Sequence, residues 1–77
     1  VSPREFVTCV VRFARTEDPI AHFTSDLDLD DVDQLRRLLV DAVTGAGYPE
    51  DRVGEFVMTM RDQRGDELCP PFRTTGY

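Results

Sequence analysis

Only the stretch from Asp28 to Tyr48 carries a sustained helical period; the segments on either side of it alternate as strands do. Within it Val32, Leu35, Leu39, Ala42, Val43 and Ala46 fall inside an arc of about 100°, the stripe of a helix with one face against a core. Such a stripe cannot bury itself, so the flanking strands must supply the platform on which it lies. That restricts the chain to a helix laid on a sheet.

Both helix ends are marked. Asp28, Asp30, Asp31 and Asp33 crowd the start, where carboxylates accept from unpaired backbone N–H groups and meet the positive end of the macrodipole. Asp30 is the expected N-cap. Gly45 and Gly47 can close the other end in a left-handed conformation and Pro49 prevents continuation, so the spacing predicts a helix over 31–44. On its outer face Asp33 and Arg37 stand four apart in the favourable order, and Arg37 and Asp41 in the less favourable one.

The flanks divide into strands and turns. Residues 5–16 place Val7, Cys9, Val11 and Phe13 on one side and Phe6, Thr8, Val10, Arg12 and Ala14 on the other. Thr16 to Pro19 is turn chemistry, and residues 20–29 alternate again, completing a hairpin that leads into the helix. After a polar crossover over 48–54, anchored by Tyr48 or Val53, residues 55–62 form a third strand with Phe56, Met58 and Met60 inward. Gly65 supplies a turn, Glu67 to Cys69 start a short fourth strand, and Pro70-Pro71 end it at an edge. Residues 73–77 read as a loose tail.

The expected fold is therefore α+β and two-layered: a single helix packed on a mostly antiparallel sheet of about four strands, in ββαββ order. A β-grasp-like roll fits that order, with the first strand and the third or fourth as parallel neighbours; a meander with a packed helix is the alternative. Seventy-seven residues allow a single domain, 1–77, whose small core would gain from burying one more surface in a dimer or a partner complex. An apolar share of 40% with 31% charged residues is that of a folded chain.

Charge and composition exclude several functions. A net charge of −6 argues against a phosphate-backbone binder, which needs clustered cations, so no direct contact with nucleic acid is expected. No run approaches the roughly 20 apolar residues of a membrane span and no basic-then-apolar leader precedes the first strand, which predicts a cytoplasmic protein without membrane contact. All nine basic residues are arginine, and with the many Asp, Val and Gly residues this is the usage of a GC-rich bacterial or phage genome.

Candidate chemistry is sparse. Cys9 and Cys69 read as buried thiols, with a disulfide between first and last strands as the alternative; zinc would need a fourth ligand beyond these two and His22. The run from Asp26 to Asp31 has the look of a calcium loop but carries Asp31 where that loop needs glycine and Arg37 where it needs glutamate. Gly45 and Gly47 sit at the wrong end of the helix for an anion, and no nucleophile adjoins His22. Arg64-Gly65-Asp66 is common turn composition, and Thr75-Gly76-Tyr77 departs from the double-glycine tail of conjugated modifiers. No catalytic residue, metal or cofactor is expected.

The sheet face away from the helix remains. Phe6, Thr8, Val10, Arg12, Val57, Thr59 and Arg61 give it an apolar centre with arginine flanks, a composition suited to protein contact. Phe6, Val10, Arg12, Val57 and Arg61 are the candidate partner-binding residues for an adaptor, inhibitor or accessory subunit that uses this open face, or an edge strand to which a partner adds its own, as the contact, with a homodimer as one form. The alternative is an acidic mimic of nucleic acid, in which Asp26, Asp28, Asp30 and Asp33, with Asp31 and Asp41, occupy the groove of a DNA- or RNA-binding protein.

Overall fold

The computed structural model describes residues 5–74. Three strands, β1 (Glu5–Phe13), β2 (Pro19–Leu27) and β3 (Phe56–Arg61), form an antiparallel sheet in the order β2-β1-β3, and α1 (Val32–Gly45) packs on one face. The polar crossover between α1 and β3 contains a 3₁₀ helix, Glu50–Glu55. Val53, inside that turn, is fully buried and ties it to the core.

Alternation in the strands and the stripe on α1 meet in one core. Val7, Cys9, Val11, Leu27, Phe56, Met58 and Met60 from the sheet pack against Leu35, Leu39 and Val43 from the helix. Half-buried Tyr48 closes one end, its ring edge-on to Phe13 at 5.6 Å and 5.1 Å from Phe56. The outer parts of the expected helical stripe do not reach this core: Val32 and Ala46 are exposed.

Two expectations about topology are corrected. The roll with β1 parallel to a later strand does not form, because β1 and β3 pair antiparallel from Thr8↔Arg61 to Phe13↔Phe56. A 14-residue helix rises about 21 Å, enough to carry the chain back to the end of the sheet where β2 begins. β3 therefore runs parallel to β2, with β1 between them. The fourth strand is reduced to two isolated bridges, Arg61↔Glu67 and Met58↔Phe72. Between them the outer segment takes five residue steps (67 to 72) against three in β3 (58 to 61), and Pro70 and Pro71 have no N–H to give a ladder. Met58 and Phe72 still exchange two backbone bonds of 2.8 Å, and Leu68 N–H donates to the Met60 carbonyl at 3.0 Å.

The helix cap is also corrected. Asp31, one residue beyond Asp30, is the N-cap, accepting from the Gln34 N–H at 3.1 Å. The Asp30 N–H instead donates to Asp28 Oδ1 at 2.9 Å, which turns the chain ahead of the helix. At the other end Gly47, with φ +99°, closes α1: its N–H donates to the Thr44 carbonyl, and the Tyr48 N–H to that of Val43. Of the tail expected over 73–77, residues 75–77 lie outside the described residues.

Candidate interaction surface

Because side chains alternate, Phe6, Thr8, Val10 and Arg12 of β1 lie on the face opposite α1. Register arranges that face in rows: Asp26, Phe6; Thr24, Thr8, Arg61; His22, Val10, Thr59; and finally Arg12 beside Val57. Val10, Arg12 and Val57 are thus neighbours, with Phe6 and Arg61 toward the other end. Exposure across the face is uneven. Phe6 is 56% exposed and His22, Thr24, Asp26 and Arg61 are exposed, whereas Val57 and Thr59 retain 6% and 8%. Thr59 Oγ1 donates to the Val10 carbonyl at 3.3 Å; of Val57, Thr59 and Arg61 on this face Arg61 alone is exposed, whereas His22, Thr24 and Asp26 of β2 all are.

The arginines at the margins are partly engaged. Arg12 is half-buried, with Nη1 4.0 Å from Glu17 Oε1, and Arg61 Nη1 donates to the Gly65 carbonyl at 2.9 Å. Phe6 stands at a hollow of about 380 Å³ shared with Asp62, Gln63, Arg64 and Leu68.

The two sides of the sheet differ. The outer side of β3 is bridged by residues 67–72, while among the described residues no segment pairs with the outer side of β2. Beside that unpaired strand runs a mostly apolar groove of about 460 Å³ between β2 and α1, lined by Ile20, Ala21, Phe23, Leu38 and Ala42 together with His22 and Asp41.

No family model, curated protein or solved structure matches the chain.

The acidic start of α1 has a structural occupation. Asp28 Oδ1 and Asp31 Oδ1 each accept from a backbone N–H, and Gln34 Oε1 accepts from the Asp28 N–H at 3.4 Å. Asp26, Asp28, Asp30, Asp31 and Asp33 are all exposed, and among the described residues no three His, Cys, Asp or Glu side chains are grouped to hold a metal ion. Both thiols are free; Cys9 is fully buried, and burial pushes it up to about 11, where it is a poor nucleophile. Glu55 is held below the usual carboxylate range by hydrogen bonds from Arg52, which also lies 5.4 Å over the Tyr48 ring; this exposed pair braces the 3₁₀ turn. No helix among the described residues is long and apolar enough to cross a membrane.

Sequence reasoning reaches the face and the acidic turn but not the groove, because the groove depends on where α1 crosses the sheet. The available signal was Pro70-Pro71, which marks one edge as protected and so directs attention to the other.

Proposed function

We propose that this chain is a small non-enzymatic interaction module that engages a protein partner through the outer edge of β2 and the adjoining β1–β2 part of the open face. The carrying observation is a nine-residue edge strand, unpaired among the described residues, beside an apolar groove. An unpaired edge offers backbone donors and acceptors to an added strand, and the groove accepts the side chains that such a strand turns toward α1. Phe6, Val10 and Arg12 would then flank the contact; Val57 and Arg61, further across the sheet, would contribute less.

A photo-crosslinking residue at Phe6 or Val10, read with light scattering after size exclusion, tests this reading. A defined protein adduct or a dimer is the expected result. A strict monomer that yields no adduct from either site in its native lysate overturns it.

The acidic-mimic reading draws its support from the exposed carboxylates at the start of α1, two of which already serve the turn and the cap. It predicts binding to a basic partner that weakens steeply with added salt, whereas strand addition is far less sensitive to salt.

A further inference from the structure

We infer that the strand added to β2 is the β2 of a second copy, antiparallel across a two-fold axis at Thr24. This rests on the reading of the β2 edge as the contact. Bond directions identify which backbone groups the edge offers. Met58 exchanges bonds with Phe72 on the outer side of β3, so Val57, Thr59 and Arg61 must direct theirs inward to Arg12, Val10 and Thr8. Val7, Cys9 and Val11 then direct theirs to Ser25, Phe23 and Ala21. His22, Thr24 and Asp26 are left with N–H and C=O groups pointing away from the sheet.

Those three residues are complementary to themselves reversed. With the axis at Thr24, His22 faces Asp26 of the other copy twice and Thr24 faces Thr24, giving three bonded pairs and about six inter-chain backbone bonds. An imidazole N–H opposite a carboxylate and threonine opposite threonine are both favourable cross-strand pairs. Moving the axis to His22 or Asp26 sets like against like. Moving it to Phe23 or Ser25 leaves one of the three outward residues without a counterpart among them.

Among the described residues the edge also lacks the usual defences. Pro19 stands at its very start and Asp26 near its end, and no charge interrupts Ala21 to Ser25 except what His22 carries. The other side of the sheet receives the bridging segment with its two prolines. In the dimer the two sheets become one of six named strands, with both helices on the same face. The grooves lined by Ala21, Phe23, Leu38 and Ala42 then lie on either side of the axis.

Cysteine scanning in the full chain with Cys69→Ser tests the register. Facing residues of a bonded antiparallel pair have Cα atoms about 5.5 Å apart, within disulfide reach, whereas His22 lies roughly 14 Å from its own copy. Thr24→Cys should give a covalent dimer under mild oxidation and His22→Cys should not. Sedimentation of the unmodified chain should show a dimer, Thr24→Pro should shift it to monomer by at least tenfold in dissociation constant, and His22→Asp should weaken it, with His22→Asp/Asp26→His restoring it. Equal crosslinking at both positions, or a dimer indifferent to Thr24→Pro, overturns the inference. A monomer at every concentration whose Thr24 crosslinking site captures a different protein overturns self-pairing and leaves the contact-edge reading standing. A monomer that captures nothing there overturns both.

Discussion

Met58 and Phe72 exchange a pair of backbone hydrogen bonds, each 2.8 Å, across the outer side of β3. Phe72 also packs half-buried against the core, so this contact both closes the sheet and extends the apolar layer. Phe72→Ala should cost roughly 1.5–2.5 kcal/mol, below the range for a fully buried phenylalanine. Urea unfolding monitored by circular dichroism checks it; a change under about 0.5 kcal/mol would mean that the segment is not docked in solution.

The acidic turn separates two neighbouring carboxylates by role. Asp31→Ala removes the side chain that accepts from Gln34 and should cost about 1 kcal/mol, while Asp30→Ala, whose side chain has no such contact among the described residues, should change stability by less than about 0.5 kcal/mol. Thermal melts of the two variants side by side decide the cap. Equal losses would place the helix start one residue earlier.

Two glycines near the helix end should respond with opposite signs. Gly45 is helical, with nothing within 4 Å of an added Cβ, so Gly45→Ala should stabilise by about 0.5–1 kcal/mol. Gly47 holds φ +99°, which alanine rarely adopts, so Gly47→Ala should destabilise by about 1 kcal/mol despite equally open surroundings. Chemical denaturation of both variants gives the comparison, and two changes of the same sign would refute the left-handed closure.

Alkaline pH should weaken the fold through Cys9. Burial raises this thiol from 9.0 to about 11, so the folded chain keeps a proton that the unfolded chain releases. The resulting stabilisation is fully present below pH 9 and is lost as pH rises from 9 to about 11, a change on the order of 2 kcal/mol. Cys9→Ala should flatten that limb of the stability curve relative to its own neutral value. In the native state a thiol reagent should modify half-buried Cys69 well before Cys9.

The parts of this fold legible in sequence are those governed by local periodicity. Val7, Cys9, Val11, Phe56, Met58 and Met60 announce themselves by alternation, and Leu35, Leu39 and Val43 by their spacing. Strand direction is different. It depends on how far α1 carries the chain, and element order alone is compatible with either a parallel or an antiparallel neighbour for β1. The cap is not legible to the residue, because four aspartates near the start all have the right chemistry and hydrogen-bond geometry alone selects Asp31 over Asp30. The 3₁₀ turn is likewise invisible as a period, being six residues stabilised by burial of Val53 and the Arg52–Glu55 pair.

At the surface, alternation correctly places Phe6, Thr8, Val10 and Arg12 away from the helix, but it cannot show that Val57 and Thr59 on the same face lose nearly all their exposure. Nor can it show which backbone groups of β2 point outward. That follows only from the pairing chain that starts at Phe72 and crosses β3 and β1.

The central place of β1 has a consequence for biosynthesis. One of its neighbours, β2, follows within a short turn, but the other, Phe56–Arg61, is made only after the helix and the 3₁₀ turn have been translated. A nascent chain that has emerged only as far as Gly45 therefore exposes its middle ribbon on one flank, with Val7, Cys9 and Val11 lacking part of their packing. Between the emergence of Gly45 and that of Arg61, one edge of β1 is an unpaired template of the kind that promotes aggregation.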